Sequence, residues 1–160
     1  MTMVTADDLK REPFLSGMRT ADLTRLATAA RFTVVPEGRR LFEERTPAER
    51  FWLLQEGTVD VDLHTPDRGR VVIETLGPGS VVGWSWLFRP HLWRFGGVAT
   101  TPVTGIEFDG RLARTLCAID PSLGYELTRR FGELIVERLE AARTWLTTPT
   151  GTPPTPSAML

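Results

Sequence analysis

The stretch Leu76–Thr100 reads LGPGSVVGWSWLFRPHLWRFGGVAT and joins a glycine-rich turn to an aromatic segment and then to an arginine. Glycines let backbone N–H groups approach a phosphate closely, a helix N-terminus adds a positive field, and an arginine offers a two-pronged donor. Gly77, Gly79, Gly83 and Arg94 are candidates for these parts, around a short aromatic helix. The order predicts an anion-binding cassette, and the alternative for Gly-Pro-Gly before a strand is a plain turn.

The residues before and after this cassette predict one helix and a series of short strands. A capping residue at Thr20 and a shared apolar face at Leu23 and Leu26 predict a helix from about Thr20 to Arg31. The β-type runs, separated by Gly, Pro and Asp turns, are Phe32–Val35, Arg39–Glu43, Arg50–Gln55, Val59–Leu63, Arg70–Leu76 and Val98–Phe108. Strands this short and evenly spaced predict a mainly β fold with flanking helices, of the double-stranded β-helix or jelly-roll barrel type.

Over roughly residues 14 to 147 the chain resembles the cyclic-nucleotide-binding domain of the catabolite activator protein (Crp/Fnr) family. The resemblance rests on a framework of glycines and the residues next to them. The matching segments are Phe14–Leu15, Pro36–Phe42, Phe51–Val59, Leu76–Gly79 and Val81–Gly83. The resemblance implies the jelly-roll fold of that family, followed by a long C-terminal helix.

The resemblance also implies roles within the cassette. In the family, a glutamate follows the glycine at the position of Gly83 and accepts a hydrogen bond from the ribose, and an arginine further on clamps the cyclic phosphate. Here Trp84 stands at the glutamate position, and Arg94, followed by Phe95, stands at the arginine position. An indole N–H donates and cannot accept, and its ring takes volume that a ribose needs. We therefore expect weak or absent cyclic nucleotide binding and no other cofactor.

Two interpretations of the cassette remain open, beside a cyclic nucleotide binder with altered ribose contacts. In the first, Arg94 lies at the floor of an aromatic-walled pocket for a different small anionic ligand. In the second, Trp84, Trp86 and Trp93 fill the pocket, and Arg94 is a structural cation stacked on an aromatic face. A cavity beside Arg94 favours the first, and an indole across Arg94 favours the second. The candidate ligand-binding residues are Gly83, Trp84, Ser85, Trp86, Arg94 and Phe95.

A long helix is predicted from about residue 120 to 146, because Asp120 and Pro121 supply a capping residue and a proline at the first helical position. Apolar residues recur along it at three- and four-residue steps. Those expected in a dimer seam are Leu127, Phe131, Leu134, Ile135, Leu139, Ala142 and Leu146. In the family that the chain resembles, this helix forms a two-fold coiled coil, which implies a homodimer. The alternative is a helix that folds wholly onto its own barrel.

Composition and motifs argue against several classes of protein. A formal net charge of −1 gives no basic footprint for nucleic acid, and no apolar run approaches a membrane span or signal peptide, so we expect a cytoplasmic location. His64 and His91 have no second ligand at metal spacing, and Cys117 has no catalytic pattern around it. Asp60 and Asp62 are expected on the solvated face of a strand. We expect neither a metal site nor an enzyme.

Both ends of the chain are expected to be loose. Residues 1–12 are expected to be flexible and the Pro/Thr-rich residues 148–160 disordered, which leaves one domain over residues 13–147. We expect no DNA-binding domain, so a signal must pass to another, unknown protein. The chain is therefore interpreted as a non-catalytic regulatory or sensory module, with a ligand-free interaction scaffold as the alternative.

Overall fold

Two antiparallel four-stranded sheets form the body of the protein in the computed structural model, which describes residues 2–147. The sheet orders are β1-β8-β3-β6 and β2-β7-β4-β5. The strands are β1 Ala30–Val35, β2 Arg40–Phe42, β3 Arg50–Glu56, β4 Val59–Thr65, β5 Gly69–Leu76, β6 Val81–Val82, β7 Gly96–Ala99 and β8 Val103–Asp109. The mainly β jelly-roll class is confirmed, but the two sheets form a sandwich and do not close into the expected barrel.

The helices flank the sandwich at both ends of the sequence. They are α1 Ala6–Lys10, α2 Thr20–Ala27, α3 Gly110–Ile119 and α4 Pro121–Thr147, with a 3-10 turn at Pro13–Leu15. The predicted helix from Thr20 to Arg31 is too long, because Ala30 and Arg31 already pair with Phe108 and Glu107 of β8. Backbone pairing with a strand and a helical conformation exclude each other at the same residue.

The N-terminus differs from the flexible segment expected for residues 1–12. A capping box begins α1, in which the Thr5 hydroxyl accepts from Asp8 N and the Asp8 carboxylate accepts from Thr5 N at 2.8 Å. Leu9 is completely buried in the core. Val4 is buried in the same core, so the cap and two apolar side chains explain why a segment of five helical residues is placed here. The predicted tail, residues 148–160, lies outside the described residues.

Strand β3 is buried on both faces, which explains its nearly uninterrupted apolar run. On one face the Phe51 ring stacks on Phe108 at 4.4 Å and on Trp86 at 4.7 Å. On the other face Trp52 stacks on Phe42 of the second sheet, with ring centroids 5.7 Å apart. Strand β3 therefore lies between the helices on one face and the interior of the sandwich on the other.

Two adjacent glycines in β7 allow large side chains to cover both of its faces. A Cβ on Gly97 would lie 2.5 Å from the Phe42 ring on the inner face. A Cβ on Gly96 would clash with the ion pair of Arg40 and Asp62 on the outer face. Because the guanidinium lies 2.7 Å from the carboxylate and covers it, Asp62 is only 3% exposed. The expectation of a solvated Asp62 is therefore wrong.

The first half of α4 belongs to the core of this chain. Leu123, Leu127 and Phe131 have no exposed surface, and the Phe131 ring meets Phe14 at 4.8 Å. Arg130 donates to the backbone oxygen of Phe14 at 2.8 Å and closes the helix onto the N-terminal segment. Leu127 and Phe131 therefore cannot belong to the predicted dimer seam, because neither reaches the surface.

A tight elbow at Asp120 joins α3 to α4. The Asp120 carboxylate accepts hydrogen bonds from backbone N–H groups in the first turn of α4 and pairs with Arg25 of α2 at 2.6 Å. Gly124 lies against α3, where a Cβ would be 2.8 Å from the backbone oxygen of Cys117. The elbow is thereby held to α2 by charge and to α3 by close packing.

Replacing Gly97 by alanine tests the close packing of the interior. The new methyl group would press on the Phe42 ring, which the neighbouring aromatic rings hold in place. We expect Gly97→Ala to lower the free energy of unfolding by about 1–3 kcal/mol in urea denaturation. Gly77→Ala is the matched control, since a Cβ at Gly77 meets no atom within 4 Å. Equal stability of the two variants would contradict the packing described here.

Candidate ligand site

The cassette between β6 and β7 has no helix among its residues. The chain turns at Gly83 with φ of +94°, a conformation that favours glycine, and Leu87 N then donates to Trp84 O at 3.3 Å in a single turn. The predicted short aromatic helix is wrong, because Pro90 disfavours a helical residue before it and leaves a segment too short to nucleate one. The cassette therefore lacks the positive field of a helix N-terminus.

The backbone of Gly83 faces an aromatic ring. A Cβ on Gly83 would lie 2.8 Å from the Trp93 ring, so the bare backbone accommodates this indole. Trp93 stacks in turn on Phe42 at 4.0 Å and lies 6.1 Å from Trp52. The absence of a side chain at Gly83, which the sequence analysis expected to let a phosphate approach, instead accommodates Trp93.

The stack leaves little space beneath the cassette. The cavity there measures about 20 Å³. Its walls include Phe42, Gly83, Trp84, Ser85, Trp93 and Phe95. A space of this size holds about one water molecule, for which roughly 10–15 Å³ is the minimum. It cannot admit a sugar phosphate.

Arg94 is held within the cassette loop itself. Its guanidinium carbon lies 5.2 Å from the centroid of the Trp84 ring, within the range of a cation–π interaction. Its Nη2 donates to the backbone oxygen of Arg89 at 2.8 Å. Its Nη1 is shielded from solvent and has no hydrogen-bond partner among residues 2–147. The indole thus lies across the arginine, the arrangement expected if the cassette is filled.

The remaining sequence-predicted site residues divide between the cassette and the core. Phe95 stays beside Trp84, with ring centroids 6.2 Å apart, and Ser85 is buried at 2% exposure. Trp86 is completely buried and packs on Phe51, with its edge toward Phe131 at 5.3 Å. The structure therefore separates Trp86 from the other candidates and makes it a core side chain.

A second and larger cavity lies between the sandwich and the distal half of α4. It measures about 330 Å³. Its walls are Val61, Ile73, Glu74, Trp84 and Phe95 from the sandwich and cassette, and Ile135, Arg138, Leu139, Ala142 and Trp145 from α4. Arg94 is not part of this wall, because the Trp84 indole both lines the cavity and contacts the guanidinium.

A charged pair crosses one side of this larger cavity. Arg138 Nε lies 3.5 Å from Glu74 Oε1, and Arg138 Nη2 donates to the backbone oxygen of Val81. Burial raises the pKa of the Glu74 carboxyl, and the Arg138 charge opposes that rise. Burial likewise lowers the pKa of Arg138, against the attraction of Glu74 and Glu137. The pair connects α4 directly to the sandwich.

Sequence reasoning missed Glu74, Arg138 and Trp145 at this cavity. Arg138 and Trp145 continue the inner stripe of α4 at steps of three and four from Phe131, so a charged residue at an inward position was a readable signal. No pattern in the sequence indicated that Glu74 would line this cavity. A bulge at Ile73 shifts the register of β5, so that two successive residues line the cavity.

Residues 2–147 contain neither a cluster of metal-binding side chains nor a helix that could span a membrane. No group of three or more His, Cys, Asp or Glu side chains in this range is arranged to hold a metal ion. None of the helices in the same range is long and apolar enough to span a membrane.

Residues 32–120, more than half of the chain, match the family model of the cyclic nucleotide-binding domain. The chain belongs to the cyclic nucleotide-binding domain family. Membership confirms the resemblance stated from the glycine framework, and the fold is consistent with a regulatory module. The guanidinium of Arg94, which the resemblance implies as the phosphate clamp, is covered by the Trp84 indole.

Three relatives show how much of the chain the family accounts for. A solved cyclic nucleotide-binding protein of Geobacter metallireducens has a TM-score of 0.77, at 23% identity, over 86% of this chain and 99% of that chain. The CRP-like cAMP-activated global transcriptional regulator of Mycobacterium tuberculosis is 22% identical over 76% of this chain and 54% of its own length. The acetyltransferase Pat of Mycolicibacterium smegmatis is 32% identical over 66% of this chain and 31% of its length. The chain spans about half or less of these two curated relatives.

Removal of the Arg94 side chain tests whether it is structural in this family member. Without any ligand, we expect Arg94→Ala to lower the free energy of unfolding by roughly 1–2 kcal/mol, through the lost cation–π contact and hydrogen bond. Arg89→Ala is the matched control, because Arg89 is exposed and keeps the backbone oxygen that accepts from Arg94. An Arg94→Ala protein as stable as Arg89→Ala in urea denaturation would identify a cation without a structural partner.

Proposed function

We propose that this chain is a non-catalytic, cytoplasmic regulatory module of its family that does not bind cyclic nucleotides in the usual mode. The observation that carries the proposal is the Trp84 indole lying across Arg94 at 5.2 Å. The fold supports the regulatory role, and the side chains of the cassette support the loss of the usual ligand.

Three features of the cassette oppose a cyclic nucleotide. The Trp84 indole covers one face of the Arg94 guanidinium and the Arg89 backbone oxygen accepts from its Nη2, so a phosphate would compete with both. The ribose would meet an indole, which cannot accept from a hydroxyl. The space below Gly83 is already filled by the Trp93 ring. Losing a buried acceptor alone costs about 1–3 kcal/mol, and displacing packed rings adds to that.

A different small anion at Arg94 is a weaker candidate function. The unpartnered Nη1 of Arg94 favours it, because a buried donor without an acceptor is energetically unfavourable. Neither cavity described above, however, has Arg94 in its wall. The filled cassette therefore supports a module whose output does not depend on an anion at this arginine.

The output of the module is proposed to pass through the outer face of α4, to a second copy and from there to a partner protein. Val136, Leu139 and Leu146 are 53%, 67% and 76% exposed and follow one another at steps of three and seven, and Leu139 also borders the cavity under α4. This spacing is that of a coiled-coil seam. Ala142, Leu134 and Ile135, also expected in the seam, are only partly exposed and lie toward the sandwich side.

Calorimetric titration with cyclic AMP and cyclic GMP tests the ligand proposal. We expect no binding heat from either nucleotide up to millimolar concentration, because both the phosphate and ribose positions are occupied by side chains. The Mycobacterium tuberculosis regulator named above, which is cAMP-activated, serves as the positive control. Micromolar binding of either nucleotide to this chain would overturn the proposal.

The self-association proposal is tested by sedimentation equilibrium of the purified chain. We expect the wild type to be a dimer at micromolar concentration and the double variant Val136→Asp/Leu139→Asp to be a monomer, since each charge would be buried in the seam. Ile119→Asp is the control, because Ile119 is 75% exposed but lies on α3. A monomeric wild type, or a dimer unaffected by the double substitution, would contradict this interface.

A further inference from the structure

A group of positive charges lies around His91 on the loop that joins β6 to β7. Burial lowers the pKa of the His91 imidazole, and the nearby charges of Arg114, Arg89 and Arg94 lower it further. Arg89 and Arg94 belong to the loop itself. Arg114 reaches the loop from α3, where its Nη1 donates to Trp86 O at 2.5 Å. Charges from two separate elements therefore meet at one imidazole.

No carboxylate neutralises these charges. The sequence has no Asp or Glu between Glu74 and Glu107, a stretch that contains the whole cassette. Arg89 and Arg114 form no ion pair within residues 2–147, whereas Arg40 on β2 pairs with two carboxylates. Like charges held close together repel one another, and carboxylates supplied by a partner would offset that repulsion.

One acidic residue, Glu49, borders this surface without pairing with it. Ala48 N donates to His91 O and Gly110 N donates to Glu49 O, both at 2.7 Å, so this segment joins the cassette loop to the start of α3. Glu49 is exposed and forms no ion pair in the described part of the chain. The positive surface is therefore short, and the carboxylate at its edge would repel a long phosphate backbone.

Two of the arginines are free to make contacts with a partner. Arg89 is exposed, and its side chain forms no hydrogen bond among residues 2–147. Arg114 uses Nη1 alone, and its other guanidinium nitrogens are neither bonded nor shielded from solvent in the described structure. Arg94 differs, because its Nη1 is shielded from solvent. Arg94 thus contributes its charge, and Arg89 and Arg114 can contribute contacts.

The surface beside these two arginines is open and partly apolar. Leu92 is 38% exposed, and Phe88 is half-buried. Neither Arg89 nor Arg114 lines the cavity beneath the cassette or the one beneath α4. Small ligands prefer concave pockets, so an open surface with separate charges and apolar groups suits an extended polypeptide better than a small anion.

We propose that the outer surface of the cassette loop binds an acidic, partly apolar segment of a partner protein, with carboxylates on Arg89 and Arg114 and an apolar side chain on Leu92. This inference goes beyond the proposed function and rests on it only in that a regulatory module needs a partner. The interface uses no residue of the α4 seam. It also needs no anion at Arg94, so it is compatible with the indole lying across that guanidinium.

Two short peptides labelled with tetramethylrhodamine test the proposal on the purified chain by fluorescence anisotropy. The first is Gly-Glu-Leu-Glu-Leu-Glu-Gly-amide, and the second has glutamine in place of each glutamate. We expect saturable binding of the glutamate peptide below about 1 mM and at least about fivefold weaker binding of the glutamine peptide. Raising sodium chloride to about 0.5 M should weaken binding of the glutamate peptide at least about fivefold, because salt screens exposed charges.

Variants separate this surface from other arginines. We expect Arg89→Ala to weaken binding of the glutamate peptide about threefold and Arg89→Ala/Arg114→Ala about tenfold, as for exposed charge pairs. Arg39→Ala/Arg68→Ala removes the same charge at exposed arginines outside the cassette and should leave the affinity within about twofold. The folded state of each variant is checked by urea denaturation. Arg89→Glu, changed only at an exposed side chain, should also weaken binding about tenfold and replaces the double variant if that protein does not fold.

The His91 imidazole gives a second readout, measured by NMR titration. Carboxylates bound at Arg89 and Arg114 would offset the charges that lower the His91 pKa. We therefore expect this pKa to rise when the glutamate peptide saturates the chain and to stay unchanged with the glutamine peptide. An unchanged pKa at saturation would place the bound peptide elsewhere and overturn the inference.

The remaining outcomes distinguish this inference from the proposed function. Absence of saturable binding, equal affinity for both peptides, or an equal loss in the Arg39→Ala/Arg68→Ala protein overturns the inference and leaves the proposed function intact. Displacement of the peptide by inorganic phosphate at matched ionic strength would identify a small-anion site, and tighter binding of a labelled DNA duplex would identify a nucleic-acid surface. Either result also overturns the inference. Displacement by micromolar cyclic AMP would overturn both proposals.

Discussion

The stack of Trp93 on Phe42, seated against the bare backbone of Gly97, is the contact on which the interior of this protein depends. It joins both sheets, because Phe42 belongs to the second sheet and also stacks on Trp52 of the first. The backbone fixes Trp93 as well: its N–H donates to Thr46 O at 2.9 Å, and its oxygen accepts from Arg45 N at 2.7 Å. The Trp93 ring lines the small space beneath the cassette, and within the cassette Trp84 contacts Arg94.

The sequence predicted the parts of the fold that local patterns control. Alternating residues located β1 to β5, but β6 was not predicted and the predicted run Val98–Phe108 divides into β7 and β8. Asp120-Pro121 located the start of α4 to the residue. Closure of the sheets, the end of α2 and the burial of Asp62 depend on pairing between distant residues, which no local pattern reports. In the cassette, the indole across Arg94 was one of two predicted arrangements, because the residue types allowed both. The cavity under α4 depends on a bulge at Ile73 and could not be predicted.

The chain has the family fold, and aromatic side chains fill the cassette between β6 and β7. From the sequence, Trp84 alone was expected to oppose a ribose, and the structure adds that Trp93 and Phe42 occupy the volume below the cassette. Similarity to cyclic nucleotide-binding proteins therefore establishes the scaffold, and the side chains determine what the scaffold can bind. The larger cavity of this chain lies beneath α4, and only a small one lies beneath the cassette.

The elbow at Asp120 holds the first half of α4 more firmly than its second half. Its first turns are clamped by Arg25, by the contact of Gly124 with α3 and by buried rings as far as Phe131. The remaining residues, up to Thr147, extend for about 24 Å at 1.5 Å per residue. A tilt of about five degrees at Arg138 would displace the end of the helix at Thr147 by about 1 Å, which couples the cavity beneath α4 to the exposed end of the helix.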